Sequence, residues 1–270
     1  MDLITTRFIC FCHNKNIQNP IYHPAFPQNP RILVFIPILT HKDRFFRYTC
    51  NTFYMKAGMS HYPISHDPEP IRLFKSDWME FFTHVSPITV VVIWLPVTGF
   101  FLARAIGFAR AAPQFPAYIP AGFILGLFLW TLAEYLLHRF VFHYRPRSAW
   151  QERVVFLFHG IHHAQPQDKT RLVMPPAVSV PLAFVFYALF SLVAGGLLHA
   201  PAWVDPLLSG FIVGYLAYDL THYATHHFAM RRGWLKSLKR YHLQHHYKTP
   251  NQRFGVSSPL WDWVFGTLPG

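Results

Sequence analysis

The sequence predicts an all-α integral membrane protein, a four-helix bundle built from two transmembrane hairpins, on three observations. Crossing a bilayer takes about 20 mostly apolar residues, and the 270-residue chain offers four such stretches, at 87–105, 117–137, 178–198 and 206–220. Short connections join the first to the second and, across His199 to Asp205, the third to the fourth, so each pair reads as a hairpin. Histidines recur in short regular patterns at the ends of the second and fourth stretches and beyond them.

Residues 1–58 differ in composition from the rest. They hold all three cysteines, Cys10, Cys12 and Cys50, and none of the eight tryptophans. Their one apolar run, 32–39, is too short to span and carries Pro37. Nor is there an apolar core followed by a small-residue cleavage site, as a secretory signal requires. This segment is expected to be disordered or a mis-assigned extension, with translation starting at Met55 or Met59. Cysteines so far from the histidines also argue against thiolate ligation and against a disulfide framework in the main body.

Residues 59–86 begin proline-rich and become amphipathic. Ile71, Phe74, Trp78, Phe81 and Phe82 recur at helical spacing, with Lys75, Asp77 and Glu80 between them. Such a segment either lies in the membrane interface or packs on the first span. The membrane-embedded domain then runs over 87–270. Pro96 is expected to bend or break the first span, and Pro113, Pro116 and Pro120 introduce the second.

The formal charge of +12 could indicate nucleic acid, but its distribution indicates a membrane surface instead. Arg139, Arg145, Arg147, Arg153, Lys169 and Arg171 lie between the second and third spans, and Arg231, Arg232, Lys236, Lys239, Arg240, Lys248 and Arg253 follow the fourth. The opposite side has only Arg104 and Arg110. By the positive-inside tendency both termini and the middle loop are cytoplasmic, and every histidine cluster with them. The membrane is the inner membrane if the protein is bacterial and the endoplasmic reticulum if it is eukaryotic. The run 231–240 suits either an acidic electron donor or anionic lipid headgroups.

The candidate ligands follow from helical geometry. His159, His162 and His163, like His242, His245 and His246, have the i, i+3, i+4 spacing that shares one helix face, and His222 and His226 share a face too. His227 lies about 140° from His222 and points elsewhere. His138 and His143 are also about 140° apart, so either the helix changes pitch there or the two serve different metal ions; the second reading is preferred. These ten imidazoles are too many for one ion and suit two, each with several nitrogen ligands. Carboxylates are few. Glu134, four before His138, and Asp219, three before His222, either accept the second N–H of a ligating imidazole or pair with an arginine on a neighbouring helix.

A nitrogen-rich metal pair at the membrane boundary, with lipid chains and dissolved oxygen in reach, favours oxidation of lipid over hydrolysis. Phe140, Phe142, Tyr144, Phe156, Phe158, Tyr223, Tyr241 and Trp261 either line an acyl tunnel or belong to the interface belt and core. The alternative from another class is a metal-binding membrane transporter or sensor; a transporter would place its ionisable ligands near the bilayer midplane between broken helices, whereas these lie at span ends and beyond.

The segments His138-Arg-Phe-Val-Phe-His143, His159-Gly-Ile-His162-His163, His222-Tyr-Ala-Thr-His226-His227, Tyr241-His-Leu-Gln-His-His246 and the tail from Phe254 to Thr267 resemble the fatty acid hydroxylase and sterol desaturase superfamily, and most nearly its fatty acid 2-hydroxylase branch. The resemblance covers residues 69–269. It implies a membrane bundle under a cytosolic helical cap that holds a histidine-rich dimetal site, and oxygen-dependent hydroxylation of a lipid acyl chain at C2. The ten positions match the family's ligand pattern, and His227 matches a non-ligand. Iron is expected for activity, with zinc as the alternative ion on isolation, and O2 as co-substrate. Members often carry a cytochrome b5 domain with a His-Pro-Gly-Gly signature; here His23-Pro24 is followed by Ala25-Phe26. Electrons are therefore expected from a separate donor, cytochrome b5-like or ferredoxin-like, with its reductase. A sterol or carotenoid hydroxylase or desaturase is the alternative within the superfamily.

Overall fold

The computed structural model describes residues 62, 64, 65, 67, 69–110 and 117–269. The 1–58 extension, with its cysteines and with Met55, lies outside the described residues, as do Met59 and the 111–116 connection with Pro113 and Pro116. Among the described residues the protein is helical throughout, with no strand.

A short helix α1 (Asp77–Phe81) precedes α2 (Pro87–Ala109). Ser86 caps α2 by accepting the amide of Thr89, and Pro87 occupies the first turn, where its missing N–H costs nothing. Of the bend or break expected at Pro96, the break does not occur: α2 continues through it. Helix α3 (Tyr118–Leu136) runs into a wider π turn, Leu137–Phe142. There follow α4 (Ala149–Val155), a second π turn (Phe156–Gly160) and α5 (Ile161–Ala164). Helix α6 (Pro176–Phe190) ends in a third π turn, Ser191–Leu197, and a single 3-10 turn, Pro201–Trp203, leads into α7 (Val204–His227). Helix α8 (Gly233–Tyr247) and the short α9 (Leu260–Val264) close the chain.

Three helical stretches are long and apolar enough to cross a membrane: Pro87–Ala109, Tyr118–Phe142 and Pro176–Leu197. They display large apolar side chains outward, among them Ile88, Val92, Phe100, Ile124, Phe128, Phe184 and Leu192. The fourth expected span, 206–220, differs. It lies within α7, which carries Asp205, Ser209, Asp219 and the histidines, and which packs against α2, α3 and α6 instead of presenting an apolar face. Sixteen of its residues are buried, so α7 is the axis on which the other three pack.

The core around α7 is aromatic. Trp130 of α3 meets Phe211 and Tyr215 edge-on at centroid distances of 5.0 and 5.4 Å, and Trp94 of α2 meets Tyr215 at 5.8 Å. Gly122 and Gly126 on α3, and Gly210 and Gly214 on α7, repeat at four-residue spacing, which lets two helix backbones touch. A Cβ at Gly210 would lie 1.9 Å from the carbonyl oxygen of Phe123. The segment before α2 is tied to the loop after α5: Ser65 and Val85 donate amides to the carbonyls of Ala164 and Thr170, and buried Arg171 pairs with Glu80. Trp78 and Phe81 face outward.

Candidate metal centre

The described residues contain two groups of five imidazoles, within each of which the candidate ligand nitrogens all lie within 4.8 Å of one another. One comprises His138, His143, His159, His163 and His245; the other His162, His222, His226, His242 and His246. All ten histidines singled out from the sequence are therefore brought together, and His227 stands outside both groups.

The pitch of the backbone decides the division. In the π turn after α3 the amide of His143 donates to the carbonyl of His138, an i to i+5 bond that brings these two side chains to one face. The preference for assigning His138 and His143 to different ions is thus overturned: the helix changes pitch and both enter the same group. The two i, i+3, i+4 triplets, read as single faces, instead divide. His159 and His163 go to one group and His162 to the other; His242 and His246 go to one and His245 to the other. Each triplet straddles the boundary between the groups, where the rings of His163 and His246 stack at 4.1 Å.

Inside each group the Nε2 atoms converge. His159 Nε2 lies 3.0 Å from those of both His138 and His163, and His143 Nε2 lies 3.0 Å from that of His245. In the other group His162 Nε2 lies 2.9 Å from those of His246 and His222, while His242 Nε2 lies 2.8 Å from that of His226 and 3.0 Å from that of His246. Hydrogen bonds do not account for this. A neutral imidazole has one N–H, and His138 and His245 spend theirs through Nδ1 on the carbonyls of Phe254 and Gln252, leaving lone pairs at Nε2. Nitrogens bound about 2.05 Å from one cation at right angles are about 2.9 Å apart. The donor set therefore fits a transition-metal ion in each group.

Burial and mutual proximity keep the imidazoles neutral. The pKa values of His159, His162, His163, His242, His245 and His246 are lowered well below the ordinary value, first by desolvation and then by neighbouring imidazoles or, at His245, also by Arg253. Neutral imidazole is the form that ligates.

The two carboxylates expected to accept imidazole N–H groups have other partners. Glu134 accepts the amides of Val256 and Ser257 at 2.6 and 2.8 Å, and Asp219 accepts the amide of Met174 at 3.2 Å. The acceptors for His138 and His245 are backbone carbonyls of the 252–254 turn, which side-chain spacing cannot reveal. The same turn binds buried Asp262, which the sequence shows only as an acidic residue near the clusters.

A cavity of about 560 Å³ opens beside the centre. Its wall is mainly apolar, including Phe74, Phe142, Leu172, Val173 and Val178, and it reaches His159 of one group and His162 and His222 of the other. Of the aromatic residues considered for a tunnel, Phe142 and Phe158 line it and the other six do not.

The sequence model of the fatty acid hydroxylase family matches residues 123–267, which hold all ten histidines. A dihydroceramide fatty acyl 2-hydroxylase of Arabidopsis thaliana is 40% identical over 209 residues, covering 77% of this chain and 84% of the relative. The fatty acid 2-hydroxylase of Homo sapiens is 35% identical over 225 residues, covering 77% of this chain and 58% of the relative. Among solved structures, one described as full-length scs7p with only the hydroxylase domain visible superposes with a TM-score of 0.64 at 38% identity, covering 72% of this chain and 70% of that one.

Proposed function

Because the chain belongs to the fatty acid hydroxylase family, and is thus an oxidoreductase that hydroxylates lipids, we propose that it inserts one oxygen atom at C2 of a membrane lipid's acyl chain. The observation that carries this reading is the apolar cavity ending on histidines of both groups, its size within the range of roughly 300–1,000 Å³ common for small-ligand sites. The relatives' designation as 2-hydroxylases supports C2 as the position.

The ten histidines hold two metal ions, five each, with iron as the active metal. Once bound, the ions supply the activation of dioxygen that breaking an unactivated C–H bond requires. The remaining work belongs to the chain. Phe142, Leu172, Val173 and Val178 bind the acyl chain by apolar contact and keep water from it. The carbonyls of Phe254 and Gln252 hold His138 and His245 in the tautomer whose Nε2 is free. The reaction balances as one C–H bond, one O2, two electrons and two protons giving one alcohol and one water. The electrons come from a separate cytochrome b5-like or ferredoxin-like donor with its reductase.

In the membrane, α2, α3, α6 and α7 form four passes, with α7 shielded by the other three, and a cytosolic cap of α4, α5, α8 and α9. The basic loops at 139–171 and 231–253 favour the cytoplasmic side for the histidines.

The test is lipid mass spectrometry on cells expressing the chain or its His245→Ala variant, with fragmentation to locate added oxygen. The expected result is acyl chains bearing one oxygen at C2 with the intact protein only. Oxygen on a ring or isoprenoid lipid would reassign the substrate class, and no altered lipid with a donor supplied would refute the activity.

A further inference from the structure

The turn that orients His138 and His245 is itself held by buried charge. Its five successive amides, Arg253 to Ser257, are all taken. Arg253 donates to the carbonyl of Thr267 at 3.1 Å. Phe254 and Gly255 donate to the two carboxylate oxygens of Asp262 at 2.8 and 2.7 Å, and Val256 and Ser257 donate to Glu134. The hydroxyl of Thr267 adds a bond to Asp262 at 2.6 Å, and that of Ser257 adds one to Glu134. Both carboxylates are sealed from solvent, Glu134 at 3% and Asp262 at 0% exposure.

Burying two carboxylates is costly and is offset here by these charge-assisted bonds. What they secure is an unfavourable backbone. Arg253 sits in the left-handed region at φ 59°, between the two residues whose carbonyls accept from His245 and His138. Gly255 approaches so closely that a Cβ there would lie 2.0 Å from the carbonyl oxygen of Ser258. Among the described residues no carboxylate-held turn reaches the other group: the Nδ1 atoms of His162, His242 and His246 have no hydrogen-bond partner, and His222 meets only the backbone of Leu172.

We propose that Glu134 and Asp262 are positioning residues for one metal ion and not the other: through the 252–257 turn they set the tautomer and aim of His138 and His245, and so the loading of that group alone. The inference rests on the two-ion reading above.

The test uses the full chain in detergent, stripped of metal and reloaded with Co²⁺, with bound ions counted per chain and followed by their absorption. Wild type is expected to take up two ions. Asp262→Asn turns an NH2 group against a backbone N–H, and Glu134→Met leaves two buried amides unpaired; each is expected to take up one. Glu134→Gln retains an oxygen for the two amides and an NH2 for the Ser257 hydroxyl, and keeps two. His222→Ala removes the complementary ion, so combined with Asp262→Asn it leaves none. Two ions in both Asp262→Asn and Glu134→Met, or loss of both with helical circular dichroism intact, overturns the proposal. A wild-type chain that takes up no ion overturns the metal-centre reading itself. Should Asp262→Asn fail to fold, Ser257→Ala removes a single bond; a chelator is then expected to extract one of its two ions about 10- to 100-fold faster than from wild type. Equal extraction overturns the proposal.

Discussion

Gly126→Ala tests whether the contact between α3 and α7 sets the metal geometry. A Cβ at Gly126 would lie 2.1 Å from the carbonyl oxygen of Leu207 and 2.8 Å from the amide nitrogen of Phe211, against an ordinary contact starting at 3.4 Å. The backbones must then move apart by about 1.3 Å to reach ordinary contact, because the obstruction is backbone and cannot rotate aside. Overpacking of this kind costs about 1–3 kcal/mol, and a backbone obstruction places it near the upper end. Alanine returns about 1 kcal/mol of helix propensity, leaving a net loss of about 2 kcal/mol. The consequence for the site is larger, since α3 leads to His138 while α7 carries His222 and His226. Metal–ligand distances tolerate only about 0.2 Å. The assay is thermal unfolding in detergent with metal counted on the same sample, and Gly99→Ala is the control, because nothing lies within 4 Å of a Cβ there. Gly126→Ala is expected to melt lower and to lose metal, whereas Gly99→Ala melts at or above wild type. A Gly126→Ala protein with unchanged melting and full metal content would refute the reasoning.

Two further predictions concern the site. The buried imidazoles bind protons less readily folded than unfolded, where their pKa is about 6.5; their contribution to stability is therefore complete above that pH and is lost as the pH falls through 6.5 towards the lowered folded values. Metal retention and melting temperature should both fall between about pH 7.5 and 5.5, and flat profiles would contradict this. Val178→Trp fills part of the cavity; lipid hydroxylation is expected to fall about 100-fold by displacement of the chain from the centre, with the metal content of wild type, and unimpaired turnover of long-chain substrate would exclude this cavity as the acyl site.

Much of the site was legible in the chain because histidine is a rare enough residue for its spacing to carry information. His222 and His226, His159 and His163, and His242 and His246 each stand four apart, and each pair enters a common group. Pairs three apart, such as His242 with His245, share a face by helical spacing, yet they separate. The difference is angular. Four residues turn a helix by about 40° beyond a full circle and three leave it about 60° short, which is enough to aim a short side chain at a neighbouring centre. Glu134 stands one turn before His138, yet it serves a different neighbour because its partners, Val256 and Ser257, lie over 120 residues away in sequence.

The amino-acid sequence by itself determined the helical class, the apolar stretches, the ten imidazoles and, through their patterns, the family. Those properties are local: hydropathy and helical spacing are summed along one segment and need no partner. Only the tertiary structure decided that α7 lies at the centre of its neighbours, that His138 and His143 share a group, and that each triplet serves both. These depend on a π turn that shifts every following side chain by one position, and on Gly126 and Gly210, which bring two backbones into contact. Both effects act across elements, where the approach of one helix to another determines which nitrogens converge.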